Sequence, residues 1–185
     1  MKRTLGFLFV LATSAAIAAP PDHAPAHGWR KKNDPNYHGY TGKKWKKDYG
    51  VLEGRCNTAA VGAVVGGVAG GVIGAKVSSK EDRPVAIILG TAIGAVIGHT
   101  VGKELDNADR GCMGHALELA GNKHTVAWTN KQTGVSYRLT PTRGFNEGNV
   151  PCREFTTVVS TGKKKKESVS GVACRRGDGE WVFRS

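Results

Sequence analysis

Hydrophobic and polar positions divide the chain into four stretches of different period. Behind Met1-Lys2-Arg3, an unbroken apolar run from Leu5 to Leu11 leads into small residues ending Ala16-Ile17-Ala18. A charged start, an apolar centre and an A-x-A end predict a cleaved signal peptide over residues 1–18, the run being too short for a membrane span. Residues 19–56 show no apolar period, which predicts a flexible segment without a core of its own. Residues 57–105 interleave glycine with Ala, Val and Ile, and 106–185 carry a short helical pattern followed by alternating strands. The expected fold class is α+β: a two-helix glycine hairpin, a short helix and a small antiparallel β domain.

In the third stretch Gly62, Gly66, Gly70 and Gly74 are spaced by four, and so are Gly90, Gly94, Gly98 and Gly102. On a helix turning about 100° per residue, a step of four drifts by about 40°, so each quartet makes one strip of bare backbone. Gly67 and Gly71 widen the first strip, while Val61, Val64, Val65, Val68 and Val72 gather on the other side. In a water-exposed helix each interior glycine costs about 1 kcal/mol relative to alanine. In a bilayer, where the backbone must bond internally, such strips let two helices approach closely enough for dispersion to hold them. Asn57–Ala75 and Pro84–Gly102 are charge-free windows of 19 residues each, near the roughly 20 that span hydrocarbon. The expectation is a transmembrane hairpin that packs helix on helix and, through its wide first strip, chain on chain in a homo-oligomer. Segments so rich in Gly and Ala are weakly hydrophobic, which favours passage to the outer membrane over capture by the inner one.

In the fourth stretch Asp106 and Asp109 are candidate caps for a helix within Lys103–Ala120, and strands are expected at 125–128, 135–140, 153–160, 168–174 and 180–184. Export places Cys56, Cys112, Cys152 and Cys174 in an oxidising compartment, and no pair has C-x2-C spacing, so two disulfides are favoured over a metal site. A hairpin turning at Gly162-Lys163-Lys164 sets Cys152 opposite Cys174 and Phe155 opposite Gly171, where it would cover the glycine; a bulge or another turn would shift that pairing. Cys56 and Cys112, returned to one side by the glycine hairpin, pair by elimination.

Charge changes the picture of the second stretch. The chain carries 27 Lys+Arg against 15 Asp+Glu, a net charge of +12. Lys43, Lys44, Lys46 and Lys47, with Arg30 to Lys32, lie among Trp29, Tyr37, Tyr40, Trp45 and Tyr49. Rings beside cations suit the headgroup level of an anionic bilayer, and a solvated linker is the plainer reading. Lys163, Lys164, Lys165 and Lys166 form a second basic run, suited to lipopolysaccharide phosphates or another anionic envelope polymer, or to a solvated hairpin tip. An exported chain rarely meets nucleic acid, so none is expected as partner.

No motif proposes catalysis. G-x-S-x-G and H-E-x-x-H are absent, and Gly42-Lys43, Gly102-Lys103 and Gly162-Lys163 lack the following Ser or Thr of a phosphate loop. His23, His27 and His38 have no fixed metal-ligand spacing, and His99 sits at the margin of the second glycine face, where interfacial hydrogen bonding suits it. The expectation is a non-enzymatic protein with no catalytic residue, metal or cofactor.

The ordered set of motifs resembles the glycine zipper 2TM family and, more closely, the 17 kDa surface antigen family of bacterial outer-membrane proteins. It comprises the doubled zipper, Trp128-Thr129-Asn130, Thr140-Pro141-Thr142-Arg143, Cys152-Arg153-Glu154-Phe155, Ala173-Cys174-Arg175, and Asp178-Gly179 with Trp181. The resemblance implies a non-enzymatic envelope protein associated with the outer membrane of a Gram-negative bacterium, a glycine hairpin followed by a small β-rich surface antigen domain, and a structural or interaction role is the leading expectation. Members of that family are often lipoproteins; this chain departs by having no cysteine directly after its expected cleavage site, leaving the hairpin as the membrane attachment. Two other functions remain open: a periplasmic polyanion-binding module, and a pore formed by a ring of hairpins.

Overall fold

The structure, a computed structural model, describes residues 20–21, 24, 26–35, 37, 39–70, 88–89, 105–161 and 165–184. In chain order its elements are α1 (His27–Asn33), α2 (Thr58–Gly70), β1 (Ile88–Leu89), α3 (Asn107–Leu119), β2 (Val126–Thr129), β3 (Val135–Glu147), β4 (Val150–Thr161), β5 (Lys165–Arg176) and β6 (Glu180–Arg184). The expected signal peptide, residues 1–18, lies outside the described residues.

Strands β2 to β6 form an antiparallel meander in which every neighbour in sequence is a neighbour in space. Alternation in β3 puts Val135, Tyr137 and Leu139 inside, and the paired positions Trp128, Val126, Thr157 and Val159 share that face. Two turns set the registers. Gly148, at φ 55°, takes the first central position of a two-residue loop between Glu147 and Val150, a geometry glycine adopts without strain. In the longer β2–β3 loop the Asn130 side-chain Oδ1 accepts from the backbone N–H of Gln132 and Thr133. Pro141, which has no N–H for the ladder, sits at a register shift in β3.

The β4–β5 register pairs Cys152 with Cys174 and Phe155 with Gly171, as counting from the turn predicts. Phe183 of β6, rather than Phe155, fills the space above Gly171: a Cβ there would lie 2.1 Å from its ring. The two phenylalanines meet edge to face with centroids 5.6 Å apart.

Helix α3 lies on the inner face of the sheet. Asp106 caps it by accepting from the Asp109 N–H at 2.8 Å, and Cys112, Met113, Ala116 and Leu117 enter one cluster with Trp128, Tyr137, Leu139 and Phe155. Residues Gly54 to Cys56 bond to Ala127 and cover the outer edge of β2, while Ile88 and Leu89 pair in parallel with Trp181 and Val182 on the opposite edge. These two residues were expected within the second glycine helix; the structure places them in a strand instead, with backbone groups bonded to a neighbour rather than along a helix.

Candidate functional site

The first part of α2 is built into the domain. Val61 is fully buried in the core, Val64 and Val65 pack against it, and a Cβ on Gly62 would lie 3.4 Å from that of Ala108. The first glycine of the zipper therefore receives α3 of its own chain, and Val61, Val64 and Val65, expected on the side of the helix away from the glycine strip, supply core packing. Among the described residues no helix is long and apolar enough to cross a membrane. Gly66, Gly67 and Gly70 continue the helical backbone of α2; Gly71, Gly74, Gly90, Gly94, Gly98 and Gly102 lie outside the described residues, as does His99. A disulfide joins Cys56, two residues before α2, to Cys112 in the middle of α3, and a second joins Cys152 to Cys174 across β4 and β5. In the chain-entropy treatment closing loops of these lengths contributes about 4 and about 3 kcal/mol. Glu147 lies beside the second disulfide, but oxidised sulfurs offer no thiolate to a metal.

The basic segment departs most from expectation. Residues 40–56, the arm, contribute to the core: Tyr40, Trp45, Tyr49 and Val51 are buried. Rings enclosed by protein cannot sit among lipid headgroups, which removes them as interfacial anchors. Their lysines remain outside: Lys43, Lys44, Lys46 and Lys47 are exposed, with Lys43 over the Trp45 ring and Lys47 over that of Tyr49. In the second basic run Lys166 is exposed opposite Ser160 and Lys165 pairs with Thr161, while Lys163 and Lys164 lie outside the described residues. His27 packs on Tyr40, and His23 and His38 lie outside the described residues.

Two buried polar groupings escape any local pattern. Glu118 pairs with Arg175, accepts from the Trp45 backbone N–H at 3.1 Å, and accepts from the Trp181 indole at 3.3 Å. Arg175 also donates to the Tyr40 hydroxyl at 2.7 Å and the Lys43 carbonyl at 2.5 Å. This knot straps the arm to the sheet, and burial lowers the Arg175 pKa and raises that of Tyr40, the latter opposed by the nearby guanidinium. Gly179 completes it: at φ 99° it passes under the arm, and a Cβ would lie 2.8 Å from Lys43 O and from Trp45 Nε1. The second grouping has Asp109 accepting from Trp128 Nε1 at 3.0 Å and Asn130 Nδ2 at 2.8 Å, with Asp106 sharing Asn130. Desolvation raises the Asp109 pKa, and desolvation together with the neighbouring carboxylates raises that of Tyr137. The sequence signal available was limited to Asp106 and Asp109 as caps. No local cue pairs Glu118 with Arg175, 57 positions apart.

Comparison with known proteins agrees with the motifs. The glycine zipper 2TM domain family matches residues 61–102, and the 17 kDa outer membrane surface antigen family matches residues 115–182. Over 104 residues, 54% of this chain, the sequence is 38% identical to the 17 kDa surface antigen of Rickettsia bellii strain RML369-C, and equally to a second protein of that name from Rickettsia bellii. The match covers 65% of each relative, so the chain spans just under two thirds of their length. No solved structure matches it. The chain is thus similar to a surface antigen family of the outer membrane and carries a glycine zipper segment.

Proposed function

We propose that this chain is a non-enzymatic, outer-membrane-associated envelope protein in which the glycine run beyond the docked base of α2 inserts into the bilayer and joins neighbouring chains. The observation that carries this reading is the rooting of α2. Its first turns are clamped by Val61 in the core, Gly62 on Ala108 and the Cys56–Cys112 bridge, while the G-x3-G spacing continues past them. Close approach of Gly62 to Ala108 is the packing mode that small-residue strips use inside membranes. Insertion of the second glycine segment exchanges the short Ile88–Leu89 pairing for packing between helices.

Extraction of separated inner and outer membranes from the native host tests this. Release from the outer membrane by detergent alone is expected, and recovery in the soluble periplasm or by high salt alone would sink the reading. Such recovery would favour instead the polyanion-binding reading, which the exposed Lys43, Lys44, Lys46 and Lys47 support. In a second arm, Gly66→Leu with Gly70→Leu is expected to abolish crosslinked ladders while export persists; unchanged ladders would reject the zipper as the interface.

A further inference from the structure

A cleft of about 790 Å³ opens between the arm, the C-terminal end of α3 and the β3–β4 turn. Its volume falls in the range of small-molecule sites. Among the described residues its charged lining consists of Lys44, Arg153, Arg175 and Glu118, and the last two neutralise each other. Neither Lys44 nor Arg153 has a carboxylate partner among the described residues. Arg153 is held in place by neutral acceptors: Nη1 donates to the carbonyls of Leu117 at 2.7 Å and Ala120 at 2.6 Å, and Nη2 to Asn122 Oδ1 at 2.8 Å. A helix C-terminus offsets about half a unit charge, so the guanidinium keeps much of its field. Three of its five N–H donors are used, and Nε–H and one on Nη2 remain. Asn146 and Asn149 line the same cleft, and their side-chain amides make no hydrogen bond among the described residues.

A cation fixed beforehand in a fork geometry suits an oxyanion, because little side-chain freedom is lost on binding. Amides that can both donate and accept suit hydroxyl groups. We propose that this cleft binds a small sugar carrying an oxyanion, a uronate or a sugar phosphate, with the charged group on Arg153 and Lys44 and the hydroxyls on Asn122, Asn146 and Asn149. The site is independent of the membrane reading above: it is formed by the sheet domain and the arm, and the zipper takes no part in it.

The test is a titration of the full-length, detergent-solubilised protein, following side-chain amide and Arg Nε–H resonances, with glucuronate and glucose 6-phosphate against glucose and inorganic phosphate. Saturable shifts at Asn122, Asn146, Asn149 and Arg153 are expected with at least one acidic sugar. Binding at least tenfold weaker is expected for glucose and for inorganic phosphate, and the preferred acidic sugar identifies the oxyanion. Arg153→Lys loosens the end of α3 as well, so the second variant is Lys44→Ser with Asn146→Ala, both on the exposed rim. It is expected to melt as the parent does and to bind at least tenfold more weakly. Absence of shifts with both acidic sugars, equal binding of inorganic phosphate, or unchanged binding by the rim variant would each overturn the proposal.

Discussion

In β3, Val135, Tyr137 and Leu139 are buried in strict alternation, whereas in the arm Tyr40, Trp45 and Tyr49 are buried at spacings of five and four. The strand needs no instruction beyond its pleat, which sends alternate side chains to one face, and the ladder satisfies the backbone as it does so. The arm has no ladder. Each ring is placed by a partner remote in sequence: Arg175 for Tyr40, the Gly179 carbonyl for Trp45, and His115, with ring centroids 4.8 Å apart, for Tyr49. Aromatic residues among lysines therefore carry two meanings, anchors at a membrane or plugs in a core, and tertiary partners decide between them.

The largest effect that would break this comparison is on Glu118. Glu118→Ala leaves the Arg175 charge buried and unpaired and should cost about 3–5 kcal/mol in urea denaturation. Trp45 emission should shift to the red, and cleavage should appear at Lys43 to Lys47 before the strands are attacked. An arm that stays protected in this variant would show that its rings hold without the polar knot.

His115 gives the next. It is buried with no partner on either ring nitrogen among the described residues, and burial lowers its pKa from the ordinary 6.5 to about 4, against an opposing pull from Asp48. A base held neutral in the fold lets the unfolded chain take up a proton first. Its stabilising contribution is therefore complete above pH 6.5 and lost as pH falls toward 4, roughly 3 kcal/mol in all. Denaturation at a series of pH values should show that slope, and His115→Leu should flatten it.

On the sheet side, Gly171→Ala forces Phe183 aside and should cost about 1–3 kcal/mol by overpacking, read as a lowered melting temperature with the arm still protected. The smallest effect belongs to Asp178, which holds α1 through Lys31 at a half-exposed site. The Lys31 hydrogen bond lowers the Asp178 pKa, so this attachment is present above the ordinary carboxylate range and lost as pH falls through the lowered value. Asp178→Asn should cost less than about 1 kcal/mol while freeing α1 to exchange amide hydrogens faster.

The sequence by itself determined what depends on neighbours a few residues away or on counting from a turn. Alternation located β2 to β6, although β3 runs past Thr140 through a bulge at Pro141 that alternation does not signal. Asp106 and Asp109 were the two candidate caps for α3, of which the structure uses Asp106, and counting from a turn at Gly162 led to the Cys152–Cys174 pair. The tertiary structure alone decided which surface receives Gly62, that Ile88 and Leu89 lie on the sheet edge, that the arm enters the core, and that Arg153 faces a cleft. A glycine strip specifies close approach without naming what approaches, and Ala108 of α3 occupies that place at Gly62. Likewise a charge specifies a need for a partner without saying which: Arg175 meets Glu118, while Arg153 meets the carbonyls at the end of α3. These outcomes follow from long-range geometry, because a buried polar group is stable only where a distant part of the chain completes its bonding.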